Sequence, residues 1–151
     1  MADSAGRAPS RRARDDGGYI LVTFGLFLTS FMIIAALAID VGGWYARGSQ
    51  LQRAADAAAL AGVVWMPDLS AATTVAQTTA SKNGFTDGAN NITVSVAAVS
   101  GNAHRLQVTI TDGNAPRYFS QFVISNETIT KQAVAEYVMP LPLGSPKNTF
   151  G

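Results

Sequence analysis

The hydrophobic pattern begins with an uncharged run from Tyr19 to Ile39, YILVTFGLFLTSFMIIAALAI. Roughly 20 apolar residues, each rising about 1.5 Å, cross a hydrocarbon core of about 30 Å. The run is therefore long enough to span a bilayer. It exceeds the apolar stretch of about 7–15 residues found in a typical signal peptide. Ala35, Ala36 and Ala38 keep a cleaved signal open as the rival reading, with a stop-transfer anchor as the expectation. Beyond Asp40 the pattern becomes amphipathic. Leu51, Ala54, Ala55, Ala58 and Gly62 recur at helical spacing, while Gln50, Gln52, Arg53 and Asp56 occupy polar positions. Alanine, the best helix former, is nearly continuous from Ala54 to Ala61. Pro67 stops the pattern, and Met66 before it is biased to an extended conformation. A single helix from Tyr19 to Met66 would reach about 70 Å, with Gly42, Gly43 and Gly48 as points where it could bend.

Shorter elements follow. Residues 69–83 predict a second, threonine-rich helix that Asp68 or Ser70 could cap. Asn83-Gly84, with Phe85 after it, resembles a left-handed helix stop. Ile92–Val99 alternates as a strand, with Ile92, Val94 and Val96 on one face. Ser100-Gly101-Asn102 supplies a turn into residues 105–112, where Leu106, Val108 and Ile110 alternate again. Pro116 suits a first helical position, so RYFSQFV predicts one or two helical turns. Thr128–Val138 reads as a third strand. The predicted fold is α+β: a long N-terminal transmembrane and amphipathic helix laid on a small antiparallel sheet, with a second helix.

Charge sets an expected orientation. Arg7, Arg11, Arg12 and Arg14 precede the span, and no lysine or arginine follows it until Arg47. The positive-inside rule places the N-terminus in the cytoplasm. The expected organisation is a basic cytoplasmic arm (1–18), a transmembrane helix (19–39), an extracytoplasmic domain (40–139) and a Pro/Gly tail or linker (140–151). That tail ends without an obvious stopping feature, so a further domain could follow it. A formal net charge of +1 argues against nucleic-acid partners. With no cysteine and one histidine, disulfides and the usual zinc frameworks are excluded.

Candidate chemistry is sparse. His104 reads as an exposed turn histidine, and no nucleophile, paired carboxylates or phosphate loop stands out. No catalytic role, cofactor or metal is expected. The Asn91-Ile-Thr and Asn126-Glu-Thr sequons carry little weight. Trp44 and Tyr45 follow the span at interfacial depth. Asp40 could act as a cap, pair with Arg47 or meet a partner subunit. Asp56 suits the solvent face or a bond to a neighbouring helix. The small residues Gly42, Ala54, Ala55, Ala58 and Gly62, with Leu51, are helix-packing candidates. They would face either the chain's own sheet and second helix or another copy's helix in a homo-oligomer.

Three segments in Gly17–Val64 carry a family resemblance: GGYILVTFGLFL, LAIDVGGWYARGSQLQ and AADAAALAG. Together they strongly resemble the N-terminal region of TadG-like proteins of the tight-adherence (Flp) pilus system. The resemblance implies a pilin-like, non-catalytic component anchored in the bacterial inner membrane, working with other Tad/Flp assembly proteins or pilins. Pilins of this system are cut after a glycine and carry a glutamate five residues into the mature chain. Here Gly18 would put Thr23 at that position, which argues against ordinary packing in a pilus shaft. Larger members carry a von Willebrand A-type domain with a metal-binding DxSxS pattern, which this chain does not contain. The alternative from another class is an anchored extracytoplasmic binding or sensory module unrelated to pili.

Overall fold

The structure, a computed structural model, describes residues 17–122 and 127–139. The basic arm before Gly17, the Asn126 sequon and the tail from residue 140 lie outside the described residues. The elements are α1 (Gly17–Val63), α2 (Leu69–Lys82), β1 (Ile92–Ala98), β2 (Arg105–Asp112), a short 3-10 turn (Ser120–Phe122) and β3 (Ile129–Glu136). The fold is α+β.

The chain divides into two compact units, one ending at Ala36 and the other beginning at Leu37. The described part of the first is helical from Gly17. Its most apolar window is not buried anywhere within the chain, which a core helix of a soluble domain would be. Two of its polar side chains bond back along the helix: Thr29 donates to the Gly25 carbonyl and Ser30 to that of Leu26, each at 2.9 Å. A hydroxyl bonded to the carbonyl four residues back carries no unpaired donor into an apolar medium.

In the second unit, the strands form an antiparallel meander in the order β1-β2-β3. Val94 pairs with Ile110, and Val108 pairs with Val96 on one side and Ala133 on the other. This register puts Ile92, Val94, Leu106, Val108, Ile110, Ala133 and Ala135 on one buried face, as period-2 alternation requires. Leu51, Ala54, Ala55, Ala58 and Ala59 of α1 join the same core, together with Ala72, Ala76 and Ala80 of α2.

The second helix explains its own composition. Asp68 caps it, its Oδ1 accepting the Ser70 and Ala71 amides at 3.0 and 3.1 Å. Thr73, Thr74, Thr78 and Thr79 each bond back to the carbonyl four residues earlier. Gly84, at φ +90°, ends it, and the Phe85 amide returns to the Ala80 carbonyl at 3.0 Å while the Phe85 ring enters the core. The free edge of β1 is closed at Val94, whose N–H donates to Asp87 Oδ1 at 2.7 Å. On the β3 edge, Gln52 donates to the Gln132 carbonyl at 3.1 Å. Such side-chain contacts blunt an edge against pairing with another strand.

Two expectations need correction. The segment after Pro116 holds only the three-residue turn Ser120–Phe122, because its amides are committed elsewhere, as described below. His104 is half-buried rather than exposed, and its Nδ1 is buried without a hydrogen-bond partner.

Space decides which glycines of α1 matter. A Cβ on Gly62 would come within 2.6 Å of Leu106 Cδ2 and 2.9 Å of the Ala72 carbonyl oxygen, whereas one on Gly42 would meet nothing within 4 Å. Gly62→Ala should therefore destabilise the full chain in detergent by about 1–3 kcal/mol through overpacking. Gly42→Ala should be neutral or stabilising by up to about 1 kcal/mol, since alanine favours a helix. Thermal unfolding of the two variants checks the contrast.

Candidate functional site

One face of α1 organises the rest of the second unit. Asp40, Gly43, Trp44, Arg47, Gly48 and Leu51 are spaced at intervals of three and four, so they line a single helical stripe. Asp40 is 1% exposed. Its Oδ1 accepts the Tyr118 amide at 2.9 Å, its Oδ2 accepts the Phe119 amide at 3.0 Å, and Oδ2 also accepts the Ser120 amide. Three consecutive N–H groups thus converge on one carboxylate, as they do at the open first turn of a helix. Those donors would otherwise be left unpaired where the chain packs against α1.

Burial pushes the Asp40 carboxyl upward. Hydrogen bonds from the Ser120, Tyr118 and Phe119 amides outweigh it, and hold the pKa down at about 2 against an ordinary 3.8. The ionised form is the one this site holds.

The remaining positions fit around that contact. Gly43 lies beside the Tyr118 ring, whose Cε2 would make ordinary contact with a Cβ at that position, at 3.8 Å. The Trp44 indole N–H donates to the Pro116 carbonyl at 3.0 Å. Arg47 Nε donates to Asp112 Oδ2 at 2.7 Å, and its guanidinium lies 4.6 Å from the centre of the Phe85 ring. Asp112, nearly fully buried at the end of β2, also accepts the Asn114 amide at 2.9 Å and so shapes the turn beyond the strand. A Cβ on Gly48 would crowd the Lys131 Cε at 3.3 Å. Beside this stripe an open groove of about 480 Å³ is lined by Val41, Trp44, Tyr45, Gly48, Gln52, Ile129 and Lys131 among others.

The sequence-predicted residues fall into distinct places. Asp40 and Leu51 lie on the stripe. Arg47 pairs with Asp112 rather than with Asp40. Gly42 points to open space. Ala54, Ala55, Ala58 and Gly62 are buried within the chain against its own sheet and α2. Asp56 is exposed and accepts from Gln52 at 2.9 Å. Trp44 turns inward to Pro116, while Tyr45 is 81% exposed. Asp112 carries no expectation from the sequence, and loop 116–120 is expected there only as one or two helical turns, not as a partner of Asp40. Asp112 sits at a strand end before Gly-Asn, a turn signal that could have marked it. The loop acts through its backbone, which leaves no side-chain trace. Among the described residues, no group of three His, Cys, Asp or Glu side chains is placed to hold a metal ion.

The second unit is a small α+β body organised on residues 40–51 of α1, and α1 is long and apolar enough to cross a membrane by length and composition. Residues 18–77 match the Tad family model, described as "Putative Flp pilus-assembly TadE/G-like". The matched segment is the one that holds both the apolar run and the clasping stripe. No curated protein and no solved structure matches the chain.

Two outcomes test the clasp. Asp40 has a depressed folded pKa, so its stabilisation is present above about pH 4 and is lost as the pH falls through about 2. The Tm gap between the wild-type chain and Asp40→Asn should be several degrees at pH 6 and close by pH 2. Arg47→Ala should cost about 1–3 kcal/mol, because it leaves Asp112 buried without its cation, discounted for the partial exposure of Arg47. Arg47→Lys should recover only part of this. Denaturant unfolding in detergent measures both.

Proposed function

We propose that this chain is a non-catalytic, minor-pilin-like component of Flp/Tad pilus assembly, anchored in the bacterial cytoplasmic membrane. The observation that carries the proposal is the coincidence of the Tad match with one continuous helix. Residues 18–77 include the apolar run, the Asp40 stripe and the alanine-rich segment. The Tad domain supports involvement in Flp/Tad pilus assembly, and the family suggests a structural role. In this reading residues 19–39 cross the bilayer, the arm 1–18 stays in the cytoplasm, and residues 40–139 stand outside as a head, followed by the 140–151 tail or linker.

Thr23 supports a place beside the filament rather than in its shaft, since the span carries no carboxylate to pair with a neighbour's amine in lipid. The partners are then other Tad/Flp assembly proteins or pilins. The alanine face is already covered by the chain's own core. A neighbouring subunit, or a second copy, would instead meet the exposed Leu60, Val64 and Trp65 on the far side of the helix end.

Deleting the gene should abolish surface pili and adhesion. Complementation with the wild-type chain should restore both, and an Asp40→Ala chain should fail to do so. Electron microscopy and a surface-adhesion assay measure these outcomes, and normal piliation in the deletion strain would refute the proposal. The anchor is checked separately: alkaline carbonate should leave the full chain in the membrane pellet.

A further inference from the structure

We propose that loop 116–120 is an interfacial membrane contact, with Tyr118 and Phe119 seated in the headgroup boundary of the leaflet that α1 leaves at Asp40. The inference rests on the reading that residues 19–39 span the bilayer. Three observations place the loop there.

The first is depth. Asp40 is one residue, about 1.5 Å of helix rise, beyond the last residue of the uncharged run. The interfacial zone on each side of the hydrocarbon core is about 5–7 Å thick. Asp40 and Gly43 therefore fall inside it, and the Tyr118 and Phe119 backbone is hydrogen-bonded directly to Asp40. A segment nearly eighty positions away in the chain is held at the level where the apolar run ends.

The second is chemistry. Tyr118 is 59% exposed and Phe119 48%. A loop whose backbone is fixed by three hydrogen bonds nonetheless turns two large aromatics outward. Tyr45, 81% exposed, and Val41, 57% exposed, flank the same level on α1. Aromatic side chains with an apolar body and a polar tip favour the membrane–water boundary. The occupant that fits is a lipid interface, because Val41 and Tyr45 follow the uncharged run within the next two turns of α1.

The third is the treatment of charge. A free carboxylate at this depth would be costly. Asp40 is instead surrounded by three N–H donors and shielded from solvent. The loop and the carboxylate make each other tolerable at the boundary.

The chain contains no cysteine, so single cysteines can carry an environment-sensitive NBD probe on the full chain. Labels at Phe119→Cys, Phe31→Cys and Ser95→Cys are compared in phosphatidylcholine/phosphatidylglycerol vesicles containing doxyl-labelled lipids. Ser95 is exposed on the outer face of the sheet. The Phe31 label should be quenched by deep doxyl groups. The Phe119 label should be quenched by shallow ones, several-fold more than the Ser95 label, and Asp40→Ala should reduce it to the Ser95 level. Equal quenching at Phe119 and Ser95, with Phe31 quenched, would overturn the loop contact and leave the span standing. An unquenched Phe31 label would overturn the span and the inference together. A Phe119 label shielded from water but unquenched by lipid, with shielding that rises with protein density, would assign the patch to a protein neighbour and overturn the lipid contact.

Discussion

The hydrogen bonds from Tyr118, Phe119 and Ser120 to the Asp40 carboxylate tie the segment that follows β2 to α1. An aspartate just beyond an apolar run would ordinarily face water or a neighbouring cation. Here it is buried, and three backbone donors replace the solvent it lost. Charge-assisted bonds of this kind are about twice as strong as neutral ones. They work in both directions. The carboxylate stays ionised, and the loop gains partners for amides that its short turn cannot satisfy. The spacing of the stripe then sets what else can approach. Trp44 holds Pro116 from the next turn, and Arg47 reaches the end of β2 through Asp112.

Small residues make this closeness feasible. A Cβ on Gly62 would clash with Leu106 and the Ala72 carbonyl of α2, and one on Gly48 would crowd the Lys131 side chain. The alanine stripe performs the same task further along. Ala54, Ala55, Ala58 and Ala59 let α1 sit on the sheet, with Ala72, Ala76 and Ala80 of α2 joining them in the core. Close packing rewards such flat surfaces, because dispersion contacts fall off within an ångström. The alanine-rich composition is thus consumed inside the head.

The elements themselves were legible in the residues. An uncharged run, two alternating stretches around a Ser-Gly-Asn turn, an Asp cap and an Asn-Gly-Phe stop are local signals, and the structure follows each of them. The family match over residues 18–77 agrees with the resemblance carried by the DVGGWYARG and AADAAALAG segments. The clasp was not legible, for a physical reason. Asp40 is satisfied by amides, and every residue but proline offers one, so nothing in the loop's side chains marks it as a partner. Arg47 and Asp112 lie 65 positions apart, and only the tertiary fold brings them together. The short turn after Pro116 departs from the helix its sequence suggests because the donors that would begin that helix point at Asp40.

The Asp40 carboxylate holds loop 116–120 against α1. Amide hydrogen exchange of the full chain in detergent tests it directly, resolved at Tyr118, Phe119 and Ser120. In the wild-type chain these amides should exchange slowly. In Asp40→Ala they should exchange at least about tenfold faster while Leu106 and Val108 in the sheet remain protected, which reports local release rather than unfolding. Fast exchange at all three positions in the wild-type chain, or protection unchanged by Asp40→Ala, would contradict the account.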